Sequence, residues 1–141
     1  PLPDLMAFSC YICNWEWTRA LARAVKEKSP RTRVLNGGVR VPDEPEDEWF
    51  FSHPECDFLL HGEGEGSFPI FLKELAHGRD WAKVPGLSAS GFRNKRQSAP
   101  LDLLRSPYLD GVFDGILPEQ SRWQVLQETN RGCPFACTFC E

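Results

Sequence analysis

Asp57-Phe58-Leu59-Leu60-His61-Gly62-Glu63-Gly64-Glu65-Gly66-Ser67-Phe68 places a short apolar run, a glycine-rich turn and the opening of an amphipathic pattern end to end. Three consecutive apolar residues predict a strand buried on both faces, as strands of parallel sheets are. The alternating glycines end it. Phe68, Phe71, Leu72, Leu75 and Ala76 then recur at helical spacing, with Ser67 as the expected N-cap and Gly78 as the expected stop. Strand, glycine loop and helix in that order form the repeating unit of an α/β domain.

Working toward the N-terminus, the same unit recurs. Arg33-Val34-Leu35-Asn36 predicts a strand ending in Gly37-Gly38, and Leu5-Met6-Ala7-Phe8 predicts another, uninterrupted and buried on both faces. Between them, Trp17, Ala20, Leu21, Ala24 and Val25 form an apolar stripe at helical spacing, with Asn14 as N-cap and Ser29-Pro30 as the stop. The acidic, proline-bearing stretch 42–48 predicts a surface loop. Toward the C-terminus the pattern weakens. Residues 86–90 suggest an edge strand with a turn around Arg93-Asn94, and 98–122 show prolines and glycines without a period, as a linker does. Trp123-Gln124-Val125-Leu126-Gln127-Glu128 predicts a new strand. The expected organisation is therefore 1–97 as an α/β domain, 98–122 as a linker and 123–141 as the start of a second domain.

That new strand runs into Cys133, Cys137 and Cys140, spaced C-x3-C-x2-C. Three thiolates this close suit an iron–sulfur cube, whose fourth iron would stay open to a substrate or cofactor. Zinc is the alternative, but paired C-x2-C knuckles usually mark zinc, and His53, His61 and His77 all sit upstream in the other domain. A disulfide framework is disfavoured, because the cluster is tight and no secretion signal opens the chain. Of the remaining cysteines, Cys10 ends a strand and reads as core, while Cys13 falls on a loop and Cys56 has no ligand spacing.

The segment Glu128-Thr129-Asn130-Arg131-Gly132-Cys133-Pro134-Phe135-Ala136-Cys137-Thr138-Phe139-Cys140 closely resembles the signature of radical S-adenosylmethionine (SAM) enzymes. The resemblance implies that the three cysteines bind a 4Fe–4S cluster, that SAM chelates the open iron, and that Phe139 lies near the adenine. It also implies a (β/α) barrel beginning at the strand before the motif. Upstream, the loops Ser9-Cys10-Tyr11-Ile12-Cys13-Asn14, Gly37-Gly38 and Gly62-Glu63-Gly64-Glu65 resemble those of the cobalamin-binding, Rossmann-like module that precedes such barrels. Ser9, Tyr11, Asn14, Gly37, Gly38, Gly62, Glu63, Gly64 and Glu65 would then face the corrin. This agrees with the rule that open parallel sheets bind ligands beyond the carboxyl ends of their strands. Glu63 and Glu65 also suit a plainer role, complementing the dipole of the next helix. No Asp-x-His-x-x-Gly motif supplies a histidine to cobalt, as is general among relatives of this class. By this resemblance the first strand and helix of the module fall before Pro1, and the sheet would expose an apolar edge.

Composition sets the partners. With 16 basic against 20 acidic residues, a net charge of −4 and a pI near 5.4, the chain lacks the basic excess of a nucleic-acid surface. Its one basic tract, Arg93-Asn94-Lys95-Arg96, reads as a solvated turn. No apolar run is long enough to span a bilayer, so a cytoplasmic protein without membrane contact is expected. The resemblance implies methyl transfer to an unactivated carbon or phosphorus, on a small-molecule or peptide substrate, with an electron donor such as flavodoxin or ferredoxin. Its rivals are thiomethylation or cyclisation beside a vestigial cobalamin domain, and a zinc-stabilised binding module.

Overall fold

Val34, Leu35 and Asn36 are buried within the strand β2 (Arg33–Gly37), and all three residues of β3 (Phe58–Leu60) are buried. These two strands are central in a five-stranded sheet. The computed structural model describes residues 3–43, 45–98, 104–116, 122, 124, 135, 137 and 138. The expected strand over 123–128, Gln124 apart, lies outside them, as do Cys133, Phe139 and Cys140. The chain divides into two compact units, Pro1–Leu104 and Arg105–Glu141.

In the first unit, β1 (Leu5–Ser9) pairs in parallel with β2, and β2 with β3. Beyond β3 the direction reverses. β4 (Leu87–Ala89) pairs antiparallel with β3, and β5 (Phe92–Arg93) antiparallel with β4, giving the order β1-β2-β3-β4-β5. The architecture is Rossmann-like α/β with a mixed sheet. Two expectations change as a result. β4 is interior rather than an edge, and the hairpin turn falls at Ser90-Gly91 instead of Arg93-Asn94. Asn94 cannot be part of a solvated turn, because its Nδ2 donates to the carbonyls of Trp81 (2.6 Å) and Val84 (2.8 Å).

Side chains alternate across the central strands, so each face of the sheet receives its own core. Leu35, Phe58 and Leu60 pack with Phe71, Val84 and Leu87 on one face. Leu59 packs with Cys10, Val41, Phe50 and Cys56 on the other. The first core is covered by α3 (Gly64–Lys73), whose Phe71 is fully buried 5.3 Å from the Phe58 ring and 5.5 Å from that of Trp81. Burying such a ring contributes roughly 1.5–3 kcal/mol. The helix starts at Gly64, three residues before the expected Ser67, so Ser67 is not its N-cap. Ser67 Oγ instead donates back to the Glu63 carbonyl at 3.1 Å, within the helix. A π-helical turn, Glu74–Gly78, extends it, and Leu72 and Ala76 of the expected apolar face remain exposed.

The second core is covered by α1 (Trp15–Lys28) and α2 (Asp47–Ser52) through Trp15, Trp49 and Phe50. The helix α2 occupies the end of the stretch expected to be loop, because Phe50 needs a place in the core. In α1 the buried residues are Thr18, Ala22 and Val25. Of the expected stripe only Val25 is buried, while Trp17 is 80% exposed and Leu21 50%. The helix is turned by ion pairs rather than by its apolar arc. Buried Glu55 accepts from Arg19 Nε at 3.1 Å and lies 3.3 Å from an Arg23 nitrogen, and Lys26 pairs with Asp57. Asp57 also accepts the Val34 N–H at 2.7 Å, which fixes the start of β2. β1, at one edge of the sheet, is half-buried rather than buried on both faces, having a single neighbouring strand.

In the second unit, residues 107–116 form successive turns, with Tyr108 and Phe113 rings 5.1 Å apart and Arg105 paired to Asp110 at 2.9 Å. No helix among the described residues is long and apolar enough to cross a membrane.

Removing Glu55 strands Arg19 beside a core. Glu55→Ala is expected to lower stability by about 3 kcal/mol in urea unfolding, whereas Arg23→Ala, on the exposed side, changes it by less than about 1 kcal/mol. Equal effects would show that the ion pair does not set the helix.

Candidate functional site at the carboxyl edge of the sheet

Register brings three expected loops to one edge. Ser9 lies opposite Gly37, and Gly37 opposite Leu60, so the chain leaves β1, β2 and β3 at adjacent points. The first two loops are bonded together. Cys10 N–H donates to the Gly37 carbonyl at 2.7 Å, and Arg40 N–H to the Cys10 carbonyl at 3.1 Å. Gly38, at φ +95°, admits this approach because a Cβ there would stand 2.8 Å from the Cys10 oxygen. Only glycine has both the conformation and the room.

Asn14 was expected to cap α1. It occupies the N-cap position but makes no cap bond through its side chain. Its Oδ1 accepts the Tyr11 N–H at 2.8 Å and its Nδ2 donates to the Ser9 carbonyl at 2.9 Å, so it braces the first loop internally. That brace leaves Tyr11 49% and Ile12 87% exposed at the edge. Trp15, just behind, lies 6.5 Å from Trp49 and carries the Arg40 guanidinium 5.8 Å over its ring, joining this loop to the next.

The third loop is more open. Added Cβ atoms at Gly62 and Gly64 would meet nothing within 4 Å. Glu63 is the N-cap residue of α3 and Glu65 lies in its first turn, where the helix dipole favours a carboxylate. An edge with unobstructed space over Gly62 and Gly64 and an exposed aromatic at Tyr11 has room for a flat ligand such as a corrin ring. A larger cavity of about 1230 Å³ opens at the opposite end, by Arg33, Asp57, Phe51 and Leu72. It is the amino end of the parallel strands, where ligands of open α/β sheets do not usually bind.

Cysteine chemistry is divided. Burial pushes the Cys10 thiol up to about 11, and burial followed by the Asp57 charge pushes Cys56 up to about 12, so both stay protonated and inert. Cys10, Cys13, Cys56 and Cys137 are free thiols, with Cys13 and Cys137 exposed. Among the described residues no group of three metal-ligating side chains stands together, and Cys133, Cys140 and Phe139 lie outside those residues.

Sequence reasoning gave His61 no role. It is 5% exposed at the end of β3, its Nε2 3.0 Å from Ser88 Oγ and its Nδ1 without a partner. Desolvation, reinforced by the Arg96 charge, lowers its pKa to about 4. The signal available was a histidine placed directly between a buried strand and a glycine loop.

No protein-family model matches the chain. A 2-(S-pantetheinyl)-carbapenam-3-carboxylate methyltransferase of Streptantibioticus cattleyicolor is 41% identical over 99% of this chain. The cobalamin-dependent radical SAM methyltransferase TokK of Streptomyces tokunonensis is 40% identical over 99% of it. Along nearly its whole length the chain is thus similar to two methyltransferases, one of them described as cobalamin-dependent and radical SAM. It spans 22% of the length of each of these two relatives. An uncharacterized methyltransferase of Pyrococcus horikoshii is 27% identical over 98% of the chain, which spans 31% of that protein. The similarity therefore extends along almost the whole chain.

Two outcomes are expected at this edge. Gly38→Ala should cost about 2 kcal/mol or more, since a positive φ and a backbone collision act together, read as a lowered urea midpoint. His61 is neutral when folded and, with its pKa depressed to about 4, binds fewer protons than the unfolded chain between pH 6.5 and 4. Stability is thus complete above pH 6.5 and falls as pH drops toward 4, by roughly 3 kcal/mol from this group. His61→Gln should flatten that slope; an unchanged slope would assign it to other groups.

Proposed function

We propose that the protein carrying this chain is a cobalamin-dependent radical SAM methyltransferase that methylates an unactivated carbon or phosphorus centre. The supporting observation is identity of 40% and 41% over 99% of the chain with two methyltransferases, one of them named as cobalamin-dependent and radical SAM. In this reading 1–97 is the cobalamin domain, 98–122 the linker and 123–141 the opening of the radical SAM barrel. Cys133, Cys137 and Cys140 hold the 4Fe–4S cluster and SAM, and Phe139 shapes the adenine site.

The loops of the α/β domain hold the corrin. Gly62 and Gly64 let backbone lie against its face, Gly37 and Gly38 keep the neighbouring loop low, and Ser9, Tyr11 and Asn14 form the third side. Glu63 and Glu65 border the same face. The bound cofactors supply the methyl group and the radical chemistry that these side chains cannot. A small-molecule or peptide substrate and a flavodoxin- or ferredoxin-like electron donor complete the reaction, in the cytoplasm.

The test is titration of the full-length, anaerobically reconstituted protein with hydroxocobalamin, followed by its visible spectrum. Stoichiometric uptake is expected. Gly64→Leu fills open space without a strained φ, so it should leave the melting temperature in place while weakening uptake roughly tenfold or more. Cys137→Ala should lose iron and the brown absorbance while keeping cobalamin. Uptake by Gly64→Leu equal to that of the parent would remove the glycine loop from the corrin site.

A further inference from the structure

Beside the glycine loop a second cavity of about 490 Å³ is lined by His61, Asp43, Arg93, Asn94, Lys95 and Arg96. Among its described lining residues, Arg93, Lys95 and Arg96 are basic and Asp43 is acidic. Asp43 is itself engaged by Arg96, which pairs with it and holds its carboxyl below the usual range. Asn94, between Arg93 and Lys95, is pinned by its two bonds to the Trp81 and Val84 carbonyls, which fixes the segment that carries the cations. The cavity wall includes His61, 95% removed from solvent, whose Nδ1 has no partner. A buried polar nitrogen without a partner costs stability unless a ligand or water completes it.

We infer that this cavity is an oxyanion subsite that takes a phosphate group, held by Arg93, Lys95 and Arg96 and completed by His61 Nδ1–H. The Nδ1-protonated tautomer leaves Nε2 to accept the Ser88 hydroxyl, which its 3.0 Å separation allows. Arginine and lysine are the side chains suited to a phosphate, and their charge-assisted bonds are the strong ones. Asp43 keeps Arg96 positioned. The subsite adjoins Gly62–Glu65, so it deepens the cobalamin reading and rests on it for one source of phosphate, the phosphodiester of the cobalamin nucleotide tail. The other source is a free phosphate or a phosphorylated small molecule.

The test compares the full-length protein with Arg93→Ala/Lys95→Ala, both positions being exposed and away from the cores, with far-UV circular dichroism and melting to verify folding. Each is titrated with cobalamin, with cobinamide, which lacks the phosphodiester and nucleotide, and with inorganic phosphate while the His61 ring resonances are followed. A loss of cobalamin affinity of about tenfold or more, with cobinamide unchanged, supports the subsite with the tail phosphodiester as occupant. Unchanged corrinoid binding, with a phosphate-dependent His61 shift present in the parent and lost in the variant, supports the subsite with a free phosphate as occupant. If the parent takes up neither corrinoid, the cobalamin reading fails and the phosphate titration alone decides the subsite. Titrations that match between parent and variant for all three probes overturn it.

Discussion

The backbone of Cys10 passes over Gly38 so closely that a Cβ there would stand 2.8 Å from the Cys10 oxygen, and the carboxyl edge of the sheet depends on that passage. It is what lets Cys10 donate to Gly37 and accept from Arg40, which draws the loops after β1 and β2 into one layer. With those loops low and joined, Asn14 can close the first on itself, and Trp15, Arg40 and Trp49 can stack behind it. The third loop, after β3, is left with open space over Gly62 and Gly64. A flat ligand needs such an edge, with a tight floor on one side and unobstructed backbone on the other.

The lower end of the domain is organised by charge. Asp57 accepts the Val34 N–H and pairs with Lys26 and Arg33, while Glu55 pairs with Arg19 and Arg23. Burial works against the Glu55 charge, yet its own backbone N–H and the two guanidiniums outweigh this and hold its pKa below the usual value. These carboxylates sit at the entry to β3, so they fix both the roll of α1 and the start of β2. A buried pair of this kind adds little net stability but is costly to break, so it acts more as a register pin than as a source of folding energy.

That division explains what was legible in the sequence. Phe58-Leu59-Leu60 and Val34-Leu35 announced interior strands because strands buried on both faces need no polar alternation. The glycine loops announced the turns at the carboxyl edge because their residue type is dictated by backbone geometry, which is local. The roll of α1 was not legible. Trp17 and Leu21 are more apolar than Thr18 and Ala22, but Glu55 and Asp57, more than thirty positions along the chain, draw Arg19 and Lys26 inward. The same holds for β4, whose central place depends on pairing partners that no local pattern encodes. Ser67 misled for a local reason, since its hydroxyl bonds to the Glu63 carbonyl inside a helix that begins earlier, as serine side chains do.

The candidate site shows the same boundary between local and distant causes. The cysteine triplet and the three loops are contiguous motifs and stand out in the sequence alone. His61 and the tract Arg93–Arg96 are some thirty residues apart and look like a loop histidine and a solvated turn. They meet because β4 starts beside the end of β3, with the Gly86 carbonyl accepting the His61 N–H at 2.9 Å, and β5 then turns back along β4 with Arg93 opposite Ser88. The strand reversal thus carries a basic segment back to the carboxyl edge. In this fold the short β4–β5 hairpin, whose second strand runs in the direction of β3, is what adds charge to an edge otherwise built of glycine and aromatic groups.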